Sequence, residues 1–177
     1  MSKKRLATVW LDGCSGCHMS LLDMDERLLA LAGIADLVYS PLVDTKEFPE
    51  NVDLTLVEGA VSSEEDLHKI QIVRERTKTL VSLGDCAVTS NVPGMRNPFG
   101  RKAVYDRAYR ENVTFDPGIP TQDVPALLPY SRPVHEIVTV DVFVPGCPPS
   151  ADTIFYVVTE LLEGRQPDVS PRTRFGS

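Results

Sequence analysis

"RLATVWLDGCSGCHMSLLDMDERLLALAG", residues 5–33, begins as an apolar run, turns at glycine and then takes up helical spacing. Residues 5–11 read as a buried strand that stops at Asp12-Gly13. Beyond the turn, Leu21, Leu22, Met24, Leu28, Leu29 and Ala32 fall near the helical period, and Gly33 is a natural stop. That spacing predicts one helix over residues 18–33.

The same alternation continues down the chain. "ADLVYS" (35–40) is a second strand stopped by Pro41, and "VDLTLVEG" (52–59) is a third. Ser62 with Glu65 forms a capping box for a helix through about Thr77, with Leu67, Ile70 and Val73 facing inward. "TLVSLGDC" (79–86) and "VDVFVPGC" (140–147) are the fourth and fifth strands. Ser150 caps a last helix with the stripe Ile154, Val157, Val158, Leu161 and Leu162, ending at Gly164. Strands alternating with helices predict an α/β fold with a parallel sheet covered on both faces. At 177 residues, 1–177 suits a single domain.

Residues 91–133 break the pattern. Seven of the fourteen prolines lie there: Pro93, Pro98, Pro117, Pro120, Pro125, Pro129 and Pro133. A long irregular loop is expected, and such loops in compact domains are usually functional or disordered. "VPALLPY" (124–130) is too apolar to stand in water, so the segment lies either over a neighbouring subunit or as a lid on its own core. The tail 165–177 is expected to be extended.

A net charge of −7 disfavours nucleic acid, which needs clustered Lys and Arg; "KKR" at 3–5 is too short to reverse this. No apolar run approaches a membrane span. The basic start "MSKKRLATVW" is followed by no long apolar stretch with a cleavage site, and there is no twin-arginine pair. The simplest location is the cytoplasm, where disulfides are uncommon.

Four cysteines therefore read as metal ligands, catalytic thiols or core residues. Cys14 and Cys17 follow the first strand, Cys86 the fourth and Cys147 the fifth. In a parallel sheet all those strand ends share one edge, the edge where ligands of open α/β sheets bind. Gly13 and Gly16 flank the first pair, and Gly84 and Gly146 sit just before the single cysteines, where glycine lets backbone approach a bulky ligand. Pro148 follows Cys147, as proline follows cysteine in some ferredoxin ligand runs. A [4Fe–4S] cluster takes four cysteines and tolerates wide separation; its formal charge with four thiolates is minus two when oxidised and minus three when reduced. A four-cysteine zinc site is the main structural alternative, although closed sites of that kind generally use two close pairs. Unrelated buried cysteines and a thioredoxin-like redox pair are further alternatives, the latter leaving Cys86 and Cys147 to be explained separately.

"DGCSGCHMSLLD", "VEGAV", "GDCAVTSNVPGMRN" and "VFVPGCPP" together resemble the small subunit of [NiFe]-hydrogenases, most closely that of cytoplasmic, bidirectional NAD-reducing enzymes. The motifs occur in order over residues 5–165. The resemblance implies a flavodoxin-like, doubly wound parallel sheet and a proximal [4Fe–4S] cluster on Cys14, Cys17, Cys86 and Cys147. It implies a separate large subunit carrying the Ni–Fe centre, and diaphorase subunits carrying FMN, the NAD site and further iron–sulfur clusters. Long members of the family have additional cysteines after this region. This sequence has none after Cys147, so one cluster is expected here. A related respiratory complex I subunit uses adjacent cysteines at the first position. Ser15-Gly16 separates them here, which favours the hydrogenase branch. A hydrogenase with another acceptor, such as ferredoxin, and a zinc-bearing docking protein are the other functional readings.

Glu58 ends the third strand at the same edge. It is a candidate proton relay or alternate cluster ligand; the plainer role is a carboxylate capping a helix N-terminus. His18 is either a hydrogen-bond donor near the cluster or a surface group, and Asp85 is a turn residue accepting backbone hydrogen bonds. His68 and His135 form no spaced metal pair. The resemblance turns Arg96 and Asn97 toward the large subunit. The turn after the first strand carries cysteines where an FMN phosphate would need Ser, Thr or Gly donors, so FMN is not placed in this chain.

Overall fold

A computed structural model of the chain describes residues 3–173. Five strands form one sheet: β1 (Lys4–Trp10), β2 (Ala35–Tyr39), β3 (Val52–Glu58), β5 (Thr77–Leu83) and β7 (Val142–Val144). Their order is β2-β1-β3-β5-β7, and every neighbouring pair is parallel. This is the doubly wound, flavodoxin-like order, and the chain reverses direction across the sheet between β1 and β3. The central strands are buried on both faces: Ala7, Thr8 and Val9 of β1, Leu54 through Glu58 of β3, and Leu80 through Leu83 of β5. Strands covered on both sides need continuous apolar runs, which is how those segments read.

Helices α1 (Gly16–Leu22), α2 (Arg27–Ile34) and α7 (Ala151–Leu162) pack on one face. There Leu21, Met24, Leu31, Ile154, Val157, Val158 and Leu162 meet Leu54, Leu56, Val81 and Leu83. Helices α3 (Glu64–Arg76) and α4 (Asp85–Thr89) cover the other face, where Ile70, Val73 and Ala87 meet Val9, Val57 and Leu80. The Ser150 hydroxyl accepts the Thr153 N–H and caps α7, as its sequence suggests.

Three expectations for the helices change. The single helix over 18–33 is two, because Asp25 adopts a left-handed φ of 51° between them, a conformation Asp tolerates better than most residues. Leu22 and Leu29, assigned to its apolar stripe, are exposed. The capping box lies one residue later than predicted: Ser63 Oγ accepts the Asp66 N–H, and Asp66 reaches back to the Ser63 N–H. Ser62 instead turns into the core.

The proline-rich segment 91–133 is more ordered than a loop. It holds α5 (Asn91–Gly94), α6 (Gly100–Asp106), a π-helical turn at Arg107–Glu111 and strand β6 (Leu127–Arg132). β6 pairs antiparallel with the short β4 (Val61–Ser63), and Leu128 packs against the second core, so this part closes over its own domain. The tail is anchored as far as it is described. Val169 packs on the first core, Ser170–Arg172 forms a 3₁₀ turn, and the Arg172 guanidinium sits 4.2 Å from the Tyr156 ring centroid. The rest of the predicted tail, 174–177, lies outside the described residues. Among the described residues, no helix is long and apolar enough to cross a membrane.

Candidate iron–sulfur site

Three turns bring the cysteines to the C-terminal edge of the sheet. Cys14 leaves β1 and Cys17 opens α1; Cys86 lies in α4 directly after β5; Cys147 follows β7. The β5 and β7 turns are tied together. The Gly84 N–H donates to the Val144 carbonyl at 2.8 Å and the Asp85 N–H to the Gly146 carbonyl at 2.9 Å. The Asp85 carboxylate accepts the Gly146 N–H at 2.7 Å, the turn role expected of it.

The β5 turn also approaches the first cysteine pair. Gly84 has a φ of +82°, and a Cβ added there would collide with the Cys17 Sγ. Only glycine permits that backbone and that closeness together. The first pair and the later turns thus share one space. Cys14 and Cys147 are exposed, while Cys17 and Cys86 are partly buried.

The thiols sense one another. Burial pushes the Cys17 thiol far above its ordinary range, and the charges of Glu58, Cys86, Cys14 and Cys147 push it further. Burial also raises Cys86, the Val92 N–H opposes that rise, and Cys14, Cys147 and Glu58 add to it. Two thiols, Cys17 and Cys86, whose deprotonation burial and the neighbouring thiols oppose suit a site where positive iron replaces the protons. Among the described residues no three Cys, His, Asp or Glu side chains converge tightly enough for one metal ion. A single zinc with thiolates at ~2.3 Å needs sulfurs only about 3.8 Å apart. A cubane places each cysteine on its own iron, so its sulfurs stand wider apart. Four free cysteines are the donor set such a cluster takes.

Glu58 lies at the switch between β1 and β3, 2% exposed. Its Oε2 accepts the His18 backbone N–H at 2.7 Å and meets the His18 ring Nδ1 at 2.7 Å. The carboxylate therefore does serve the first turn of α1. Its charge also raises the Cys17 and Cys86 thiols. His18 is a buried partner of Glu58, not a surface group. Its Nε2 lies 3.0 Å from the Thr8 hydroxyl, which donates to Ser40 Oγ at 2.8 Å. The His18 ring thus joins Glu58 at one nitrogen to Thr8 and Ser40 at the other. Trp10 stacks on the His18 ring at 5.5 Å.

The Arg96 and Asn97 side chains bind the chain's own backbone. The Arg96 guanidinium donates to the Leu128 and Ser62 carbonyls, both at 3.0 Å. Asn97 brackets Ser131, donating to its carbonyl at 2.9 Å and accepting its N–H at 2.8 Å. His68 is exposed on α3 and His135 packs edge-on against Phe143; both stand apart from the cysteines. The His18–Glu58 pair had no signal in the sequence, since its members are 40 residues apart.

Residues 14–161 match the family described as NADH ubiquinone oxidoreductase, 20 Kd subunit. The NAD-reducing hydrogenase HoxS subunit delta of Cupriavidus necator is 44% identical over 172 residues, covering 94% of this chain and 82% of that protein. A subunit of the F420-non-reducing hydrogenase of Methanothermobacter marburgensis is 40% identical over 170 residues, covering 93% of this chain but only 55% of that protein. Among solved structures, an NAD+-reducing [NiFe]-hydrogenase in its H2-reduced state superposes with a TM-score of 0.93 at 39% identity, covering 98% of this chain and 99% of that one. The chain belongs to the NADH ubiquinone oxidoreductase 20 kDa subunit family and, within it, to the hydrogenase small subunits.

Proposed function

We propose that this chain is the electron-transfer subunit of a cytoplasmic NAD-reducing [NiFe]-hydrogenase, with Cys14, Cys17, Cys86 and Cys147 holding one [4Fe–4S] cluster. When bound, that cluster supplies one-electron transfer between the Ni–Fe site of a large subunit and the iron–sulfur and flavin centres of diaphorase subunits. The overall reaction is H2 + NAD+ to NADH + H+. The observation that carries this reading is the convergence of three strand-end turns, with the other three thiols felt at Cys17.

The chain's own residues do three things in this account. The two strand-end turns and the α1 pair fix four thiolates on rigid elements, which limits rearrangement when charge changes. Gly84 lets the β5 turn close on Cys17. The buried Glu58–His18 pair acts electrostatically on the cysteines, the position a relay or an alternate oxygen ligand would need. Beside α4, Val92, Met95 and Phe99 expose 53%, 70% and 72% of their surface, an apolar strip suited to the large subunit.

The likeness to the F420-non-reducing enzymes supports a second reading, the same relay with another acceptor. Purification of the native complex separates the two. Co-purifying flavin with H2-dependent NAD+ reduction supports the first; H2 oxidation with no NAD+ reduction supports the second. Zinc in place of iron and acid-labile sulfide would overturn both.

A further inference from the structure

Asn91 stands just after the left-handed turn at Ser90, whose φ is 65°. Its Nδ2 lies 3.7 Å from the Cys147 Sγ, within hydrogen-bonding reach of sulfur. Cys147 comes from β7 and Asn91 from the segment after β5, so the contact bridges 56 residues of chain. The next residue, Val92, turns its backbone N–H toward Cys86. One short turn therefore offers donors to two of the four cysteines.

The turn is braced from behind. The Ser90 hydroxyl meets the Ser131 hydroxyl at 2.7 Å, and the Ser62 hydroxyl donates to the same Ser131 oxygen at 2.7 Å. All three serines are buried. Asn97 holds the Ser131 backbone on both sides. A turn braced in this way fixes the backbone from which both donors extend.

We propose that the Asn91 amide sets the potential of the proximal site, raising it by donating to the Cys147 sulfur. The inference rests on the four-cysteine cluster proposed above. One-electron uptake takes the formal charge from minus two to minus three without making or breaking a bond, and part of the added charge falls on the thiolates. A hydrogen bond to a charged acceptor strengthens with that charge, so it favours the reduced form. Asn91 is exposed, and its side chain makes no other hydrogen bond among the described residues, so its removal spares the core.

The test is an EPR-monitored redox titration of the anaerobic native complex and of its Asn91→Ala and Asn91→Asp forms, with iron and acid-labile sulfide counted in each. The expected result is unchanged iron and sulfide, with the reduced signal appearing at lower potential in Asn91→Ala and lower still in Asn91→Asp, which adds a negative charge. An unmoved midpoint in both variants overturns the proposal. So does loss of the cluster from Asn91→Ala, because that makes the residue structural. Absence of any reducible iron–sulfur signal from the unaltered complex is a separate outcome: it overturns the four-cysteine reading, and the proposal with it.

Discussion

Oε2 of Glu58 meets both the backbone N–H and the ring Nδ1 of His18 at 2.7 Å, with both side chains buried. One oxygen thus closes the first turn of α1 and anchors the ring that follows Cys17. Replacing Glu58 with Ala strands both donors in a dry site. Glu58→Ala is expected to lose about 3–5 kcal/mol, the scale for breaking a buried pair. Glu58→Gln keeps the shape and an acceptor and loses less. Denaturant unfolding measures both; equal midpoints for the two variants and the unaltered chain would contradict this role.

Two glycines give opposite expectations. Gly84→Ala drives a Cβ into the Cys17 Sγ at a φ of +82°, so it is expected to strip iron and sulfide from the protein. Gly33 lies in α2 with nothing within 4 Å of a Cβ. Gly33→Ala is expected to stabilise by roughly 0.5–1 kcal/mol through helix propensity, with the metal content intact. Metal analysis and thermal denaturation of the two variants check the contrast.

Alkaline pH bears on the cluster-free chain. Burial, then Glu58 and the other thiols, raise Cys17, and burial raises Cys86, above the ordinary thiol value of 9.0. The folded state then keeps protons that the unfolded state releases. The stability tied to these thiols is fully present below pH 9.0 and falls as pH rises above it toward the folded values. Unfolding midpoints from about pH 7 to about pH 10.5 follow this, and Cys17→Ser should flatten the decline. A midpoint that rises with pH in that window contradicts the assignment.

Arg96 is predicted to act on the fold and not on a partner. Arg96→Ala removes two donors that tie the segment after α5 to β4 and β6. It is expected to cost about 1–3 kcal/mol and to open residues 97–127 to limited proteolysis. Intact stability combined with a lost large subunit would return Arg96 to the interface.

Much of this was legible because buried parallel strands leave a plain record. β1, β3 and β5 are mostly apolar through their buried stretches, and the stripe from Ile154 to Leu162 with Ser150 before it marks α7. Placing the cysteines after β1, β5 and β7 was enough to gather them at one edge. The break at Asp25 was hidden because helical spacing continues through it and only the backbone conformation of one residue interrupts it. β6 was hidden by Pro125 and Pro129, which read as breakers; a two-stranded ladder at the margin tolerates proline where a central strand does not. The Ser62–Ser131–Ser90 contacts and the His18–Glu58 pair join distant residues without period, so only the fold reveals them.

The most direct measurement is an anomalous difference map at the iron edge from anaerobically grown crystals of the complex. It should show one compact group of four irons bonded to the sulfurs of Cys14, Cys17, Cys86 and Cys147. Iron elsewhere, a lone zinc, or any of the four sulfurs left outside the group would contradict the account.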